Sequence, residues 1–346
     1  MRGRSHGKRF SRQSVRRHLQ VRRCATSFHI ARRRAPGTGF RIVKGFILLA
    51  LRQTDDALRS ALRWSKMLGS SAKKGWLLRI ASMQPELTRA CDEGMLEEIG
   101  EDPAISKLAP ELLDGAVQPC GVGFFVWSTV LAYNAEKLKT APQGWADFWD
   151  VEKIPGKRGL RKGAKYTLEF ALMADGVEPK DVYSVLESKA GQDRAFAKLD
   201  KLKPYIQWWE AGAQPPQYLA SGDVVMSSAY NGRIAAVQKE SNLRIVWNGG
   251  IYDMDAFTIP KGAKNREEGL RFIQSVLQPE AQKAYAHQIA YGPVNRAAVP
   301  MVDAIRRSNM PTDEANLARQ VAISASFWAD HGDQLEQRFN SWAAKQ

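Results

Sequence analysis

The chain has 346 residues, of which 44% are hydrophobic and 9% aromatic, enough for the packed cores of two domains. Its formal charge of +15 would suit nucleic-acid binding, but residues 1–79 carry 21 Lys and Arg against two acids, a net +19. Residues 80–346 carry 30 Lys and Arg against 34 acids, a net −4, so the overall basic charge excludes no small-molecule function for this longer part.

The basic segment lacks the pattern of a folded domain. Runs such as RRHLQVRRC interrupt every apolar period, and no amphipathic stripe exceeds two turns, so we expect disorder there. Residues 46–51 are too short an apolar run for an export signal, and no stretch approaches the roughly 20 apolar residues of a membrane span. Nucleic-acid binding through this segment stays open, and it predicts an affinity that falls steeply with salt.

From residue 86 onward the local patterns agree with one another. The segment PELTRACDEGMLEEI suits a surface helix, and GVGFFVWSTVLAY at residues 121–133 is typical of strand buried on both faces of a parallel or mixed sheet. Helices are predicted at residues 145–150, 168–174, 179–187 and 194–202, and short strands at residues 205–209, 223–229, 243–247 and 255–259. Helices alternating with short apolar strands predict an α/β protein.

The C-terminal part carries clear helix signals. Asn265 before Glu267 and Glu268 predicts a capped helix start, because acids in the first turn suit the helix dipole. Pro279 fits the first turn of the next helix, and a last amphipathic helix is predicted at residues 333–344.

Catalytic and metal-binding patterns are missing from the sequence. There is no nucleophile elbow, P-loop or full dinucleotide fingerprint, and Cys24, Cys91 and Cys120 lack the spacing of a zinc site. We therefore predict no enzyme activity, no metal and no cofactor. In an exported protein Cys91 and Cys120 could pair, whereas in a cytosolic one they would be small buried residues.

Aromatic residues and carboxylates stand together at the ends of predicted strands, where open α/β sheets bind ligands. Carboxylates offset the lost hydration of a buried cation, and each aromatic face adds about 0.5–2 kcal/mol. The combination indicates a cage for ammonium groups, although the tryptophans could equally belong to the core. The clusters are Trp208, Trp209 and Glu210; Tyr230 and Asn231; and Tyr252, Asp253 and Asp255.

Residues 84–346 resemble the periplasmic spermidine/putrescine-binding proteins, the receptors of polyamine ABC importers. Five segments carry the resemblance in the family's order: VWSTVLAYNAEKL, GWADFWD, GDVVMSSAYNGR, IYDMDAFTIPKGAKN and YGPVNRAA. It implies the two-lobed periplasmic binding protein fold of type II, closing around its ligand. Lobe one would hold residues 84–125 and 251–315, lobe two residues 126–250, and C-terminal helices residues 316–346.

Residues 1–83 do not match the family, so the first lobe is expected to lack its first strands. An altered reading frame or wrong start upstream of residue 84 would explain this. The resemblance also puts Cys91 on a lobe-one helix and Cys120 just before the strand that leaves that lobe, so we expect these cysteines to lie close enough to bridge.

The resemblance implies a set of ligand-binding residues. Tyr230 would stack on the ligand's carbon chain, Asp255 would receive an amine, and Tyr291 precedes the Pro-x-Asn turn of the family. Glu169 lies near the acid that begins the second-lobe helix, and Asp253 replaces an aromatic residue, which makes the cage more acidic. The predicted set is Asp255, Tyr230, Tyr291, Asp253, Tyr252, Glu169 and Trp209.

The predicted function is a periplasmic, monomeric receptor that captures a small cationic solute, a polyamine such as putrescine or spermidine, and delivers it to a membrane ABC permease. An alternative is the same fold binding an amino-acid derivative or another small solute. An arginine aimed at a carboxylate would favour an amino acid, and Arg233 is the arginine that the sequence offers for this role.

Overall fold

A mixed β-sheet flanked by helices organises the chain. The computed structural model describes residues 79–81 and 84–345, and these belong to one compact unit. The strands are β1 (Arg79–Ala81), β2 (Val117–Gln118), β3 (Gly121–Asn134), β4 (Arg158–Arg161), β5 (Ile206–Trp209), β6 (Met226–Tyr230), β7 (Leu243–Thr258), β8 (Gly292–Pro293) and β9 (Gln320–Ala322).

Several helices pack against this sheet, and the last helix ends at Ala344. They are α1 (Gln84–Asp92), α2 (Pro103–Ser106), α3 (Trp145–Trp149), α4 (Thr167–Ala174), α5 (Val182–Leu186), α6 (Lys189–Leu202), α7 (Gln214–Ser221), α8 (Asn231–Ser241), α9 (Arg266–Val276), α10 (Pro279–Ala286), α11 (Ala304–Arg307), α12 (Glu314–Leu317) and α13 (Ala325–Ala344). None of the helices in the described ranges is long and apolar enough to cross a membrane.

The strand order is β1-β7-β3-β6-β4-β5, with β2 and β8 beside β3 and β9 beside β7. β3 pairs antiparallel with β7 and β6, whereas β4 runs parallel to both β5 and β6. The carboxyl ends of these three parallel strands therefore meet at one edge, where Arg161, Trp209 and Tyr230 are their last residues. Such an edge is the usual ligand position in open α/β sheets.

β3 is buried along its whole length, as its continuous apolar run predicts. Its pairing with β7 shifts register between Gly123 and Phe125, so Phe124 forms a bulge that brings two consecutive phenylalanines toward the helices above. A second irregularity follows between Thr129 and Leu131. The two strands predicted at residues 243–247 and 255–259 are the two ends of the single strand β7, because the turn-like sequence between them stays extended.

The helices lie where the sequence predicts them, and most of the differences between predicted and observed bounds are at the first residues of the helices. Asn265 precedes α9 as predicted, but its side chain makes no capping hydrogen bond. Pro279 does begin α10. α13 begins at Ala325, eight residues before the predicted start, because the Ser324 hydroxyl caps the amide of Phe327 at 3.3 Å.

A disulfide joins Cys91 on α1 to Cys120, the residue before β3, with their Cα atoms 5.7 Å apart. The predicted proximity of these cysteines is confirmed. The bond ties the first described helix to the start of the central strand. Expectations for residues 1–78 lie outside the described residues.

Candidate functional site

Trp127 lies at the centre of a group of aromatic rings on one face of the sheet. Its ring meets the rings of Tyr230 and Tyr166 edge to face, at centroid distances of 5.2 and 6.0 Å. Its indole nitrogen donates a hydrogen bond to Oδ1 of Asp255 at 3.0 Å. We call Trp127, Tyr166 and Tyr230 the aromatic cluster; it joins β3, the start of α4 and the end of β6 around one carboxylate.

The register of β3 and β7 explains why the acids face this cluster. Phe125 pairs with Asp255 and Trp127 with Asp253, and residues two apart on a strand share a face. Both predicted acids therefore point to the side of the sheet that carries Trp127. Asp255 is buried, with 4% of its surface exposed, so its carboxylate acts in a water-poor environment.

Asp253 is enclosed more tightly than Asp255. Its Oδ1 accepts the amide protons of Gln84 at 3.4 Å and Met254 at 2.7 Å, and its Oδ2 accepts the hydroxyl of Tyr166 at 3.4 Å. Burial raises the pKa of Asp253 to about 7, against the attraction of Lys165. Near neutral pH this side chain is thus only partly charged, and it holds Tyr166 in place.

Tyr166 has a strained backbone at the residue before α4, with φ at +72°, a region that a residue with a large side chain rarely adopts. The ring is fully buried, and its hydroxyl donates to Asp253. Strain of this kind persists where the surroundings over-determine a position, and it concentrates at binding sites. The backbone geometry thus supports the assignment of this region as the site.

Arg161, the last residue of β4, adds a positive charge beside the same cluster. Burial lowers the pKa of its guanidinium, but the phenols of Tyr230 and Tyr166 and the carboxylate of Glu336 outweigh this, and the net pKa is raised. A Cβ added to Gly163 would lie 2.5 Å from Nη1 of Arg161 and 3.3 Å from Oε1 of Glu336, which places both groups against that glycine. The guanidinium is therefore a permanent cation at this edge of the site.

Tyr230 and Trp209 stand together as predicted, but they play different parts. Tyr230 lies between Trp127 and Trp209, edge to face with both, and it is partly exposed. Trp209 is fully buried, and its indole donates to the hydroxyl of Ser228 at 3.1 Å. Tyr230 thus forms a wall of the site, and Trp209 supports that wall from behind.

Tyr291 borders the Asp255 end of the site. Its ring stacks on Phe125, the cross-strand partner of Asp255, at 5.2 Å with an interplanar angle of 10°. A Cβ at Gly232 would lie 2.5 Å from Cε1 of Tyr291, so the glycine of the Tyr-Asn-Gly sequence allows α8 to approach this ring.

Glu169 and Tyr252, two members of the predicted set, are not linked to the aromatic cluster by the contacts described here. Glu169 is fully buried in α4, where it accepts hydrogen bonds from the indole of Trp328 at 2.8 Å and the hydroxyl of Tyr183 at 3.2 Å. Tyr252 precedes Asp253 by one residue, so strand alternation puts it on the opposite face of β7. Ligand binding by these two residues stays a prediction.

Sequence reasoning missed Arg161, Trp127 and Tyr166. Trp127 is hidden in a continuous apolar run that also suits a purely structural strand. The feature that distinguishes Tyr166 is its positive φ angle, which the sequence does not show. Arg161 has a usable signal, since it ends a short strand just before a glycine-containing loop, whereas the arginine predicted to bind a carboxylate is Arg233.

The assembled groups suit a small solute with opposite charges at its two ends. Asp255 provides an anionic end, Arg161 a cationic end, and the aromatic cluster an apolar surface that borders both. Such a surface packs against methylene groups, while the charged groups offset the lost hydration of an ammonium and a carboxylate.

Comparisons with known proteins identify the fold and the family. The sequence model described as bacterial extracellular solute-binding protein matches residues 64–312, starting upstream of the segment that carries the polyamine-receptor resemblance. The solved structure of the Atu4243 GABA (γ-aminobutyric acid) receptor superposes with a TM-score of 0.70 at 32% identity, covering 78% of this chain and 82% of that one. The predicted two-lobed periplasmic binding protein fold is confirmed.

Two curated relatives differ in their ligands. The chain is 55% identical over 262 residues to a γ-aminobutyric acid-binding protein of Pseudomonas aeruginosa, covering 75% of this chain and 74% of that protein. It is 28% identical over 221 residues to a spermidine/putrescine-binding periplasmic protein of Salmonella typhimurium, covering 60% of each. The sequence model that matches residues 64–312 shows the family: this chain belongs to the bacterial extracellular solute-binding proteins.

Proposed function

We propose that this protein is the periplasmic receptor of an ABC importer for a small ω-amino acid of the γ-aminobutyrate class. The observation that carries the proposal is the placement of Arg161 and Asp255 around one aromatic cluster. Arg161 contacts Tyr230, Tyr230 meets Trp127 edge to face, and the indole of Trp127 binds Asp255. A zwitterion with a short methylene chain would set its ammonium at Asp255 and its carboxylate at Arg161.

A polyamine fits these charges less well. A diamine presents two ammonium groups, and the second one would meet the guanidinium of Arg161, which repels it. The candidate for a second acid is Asp253, but burial raises its pKa to about 7 and its oxygens already accept three hydrogen bonds. Glu169, the remaining predicted acid, faces Trp328 and Tyr183. The relative that is 55% identical is a γ-aminobutyric acid-binding protein, which supports an amino-acid derivative over a polyamine as the solute.

The two lobes would close around this solute by bending at the long strands. The pairing of β3 with β7 breaks between Thr129 and Leu131, where β7 passes through Gly249 and Gly250. Gly249 has φ at +73°, a conformation that glycine adopts without strain. An irregular stretch shared by both connecting strands suits a hinge.

Calorimetric titration of the full chain with 4-aminobutyrate, putrescine, spermidine and agmatine tests the proposal. We expect 4-aminobutyrate to bind most tightly, and Arg161→Gln to weaken its binding at least about tenfold, since a charge-assisted pair is lost. Lys162→Gln is the matched control, because the adjacent Lys162 is exposed and pairs with Glu210 instead. Tighter binding of putrescine, or unchanged 4-aminobutyrate affinity in Arg161→Gln, would show that the solute is not an ω-amino acid.

A further inference from the structure

Tyr285 packs beside the Asp255 end of the site, and none of the contacts described above uses its hydroxyl. It lies on α10, which Gln282 anchors to the sheet: the side-chain amide donates to the carbonyl of Phe124 at 3.0 Å and its oxygen accepts the amide of Val294 at 2.9 Å. Tyr285 follows one turn later on the same helix. The helix is thus held firmly, and the position of the tyrosine ring is set by it.

The ring of Tyr285 belongs to a row of aromatic rings next to Asp255. It stacks on Phe125 at 5.2 Å with an interplanar angle of 23°, and Phe125 stacks in turn on Tyr291. Phe125 is the cross-strand partner of Asp255. The bulge at Phe124 brings a second phenylalanine against the same tyrosine, at 4.8 Å. The row therefore extends the apolar wall of the site toward α10.

The hydroxyl of Tyr285 is buried and has no hydrogen-bond partner among the described residues, and the residue is only 6% exposed. Burial, and then the nearby Tyr291 and Asp255, raise the pKa of Tyr285 well above its ordinary value, so the hydroxyl keeps its proton at neutral pH. A buried hydroxyl without a partner is unfavourable, and buried tyrosines usually satisfy theirs. Phenylalanine would pack the same ring without that cost, so packing alone does not account for a tyrosine.

We infer that the Tyr285 hydroxyl is a ligand group of the amine subsite and selects solutes that carry a protonated amine. An ammonium has three donors: one would go to Asp255, and the unpartnered hydroxyl oxygen of Tyr285, whose ring stacks on the cross-strand partner of Asp255, would accept another. The inference deepens the proposed function and rests on it, because it needs an ammonium at Asp255. It names a specificity-determining residue on α10, outside the strand-end clusters that the sequence indicated.

The test is Tyr285→Phe in the full chain, measured without ligand and with 4-aminobutyrate. We expect the unliganded variant to melt at the same temperature as the parent or higher, since an unsatisfied hydroxyl has been removed. We expect its affinity for 4-aminobutyrate to fall about tenfold or more, the usual effect of losing a hydrogen bond to a charged group. Unchanged affinity would mean that the hydroxyl takes no part in ligand binding.

Tyr183→Phe is the matched control, because that hydroxyl has a partner inside the protein, Glu169 at 3.2 Å. It should lower the melting temperature and leave the affinity unchanged. If the parent binds 4-aminobutyrate and Tyr285→Phe binds it equally well, the role of Tyr285 is wrong and the proposed function stands. If the parent binds none of the amines, both are overturned.

Discussion

The carboxylate of Glu169 and the indole of Trp328, 159 residues apart in the chain, share a 2.8 Å hydrogen bond that ties α4 to α13. The second carboxylate oxygen of Glu169 is buried and has no partner among the described residues. The sequence predicts this acid as a ligand group, and in the structure it also forms part of the contact between two helices.

The pH dependence of stability should report this buried acid. Burial raises the pKa of Glu169 to about 7 from an ordinary 4.5, so the folded protein binds a proton that the unfolded chain releases. The contribution is fully present below about pH 4.5 and is lost as pH rises to about 7, with an upper bound of about 3.4 kcal/mol. Glu169→Gln should flatten this part of the pH profile of the free energy of unfolding, measured by urea denaturation at pH 4.5, 6 and 7.5.

The control for that profile is Glu187→Gln, an exposed acid that contacts His331 on the same helix α13. It should leave the slope between pH 4.5 and 7 nearly as in the parent. An unchanged slope in Glu169→Gln would mean that Glu169 stays charged in the folded protein.

Trp127→Phe should weaken ligand binding by about tenfold, because the carboxylate of Asp255 loses its 3.0 Å indole donor while a ring remains in the aromatic cluster. Trp149→Phe is the comparison, since its indole donates to the carbonyl of Lys198 on α6 and not to Asp255. That variant should cost stability and keep the affinity. Calorimetry with 4-aminobutyrate measures both, and equal affinities in the two variants would argue against a positioning role for Trp127.

Removal of the disulfide by Cys91→Ala together with Cys120→Ala should destabilise the protein and leave its ligand affinity unchanged. The two residues are 29 apart in the chain, and closing such a loop stabilises the folded state by about 3–4 kcal/mol in the chain-entropy view. Urea unfolding under oxidising and reducing conditions measures this. The parent should fall to the level of the double variant on reduction, and a parent insensitive to reductant would contradict the expectation.

Glu336→Ala should lower the free energy of unfolding far more than an equivalent change elsewhere on α13. The Glu336 carboxylate accepts the amide protons of Ala164 at 3.1 Å and Lys165 at 3.2 Å, in the loop between Arg161 and Tyr166. Leaving these amides unpaired costs about 1–3 kcal/mol, and the displaced loop should also weaken 4-aminobutyrate binding.

Asp333→Ala is the control on the same helix. Its exposed pair with Arg89, at 3.3 Å, should contribute little to the free energy of unfolding. Equal stability of the two variants in urea would show that Glu336 does not hold the loop.

Local patterns predicted much of the fold because neighbouring residues determine them. The apolar run of β3 indicates a strand buried on both faces, and Pro279 marks the first turn of α10. Two of the acids proposed for the ligand, Asp253 and Asp255, share a face because alternation along a strand is a local property.

The site depended on contacts that no local pattern contains. Arg158 and Arg161 lie three residues apart on β4 and therefore on opposite faces. Arg158 is fully buried and donates to backbone carbonyls such as that of Phe148 at 2.7 Å, whereas Arg161 meets Tyr230. The strands that pair with β4 on either side, β5 and β6, determine which of its two faces borders the candidate site.

The sequence by itself determined the solute-binding-protein family and the alternation of helices and strands, since these follow from periodicity, composition and ordered motifs. Ligand binding by Asp255 and Tyr230 stays a prediction from the same motifs. Tertiary structure decided which charges accompany them: it brought Arg161 to the aromatic cluster, buried Glu169 under Trp328, and enclosed Asp253 behind Tyr166. The reason is physical, because charge complementarity and burial depend on side chains far apart in the chain that meet only when the sheet is assembled.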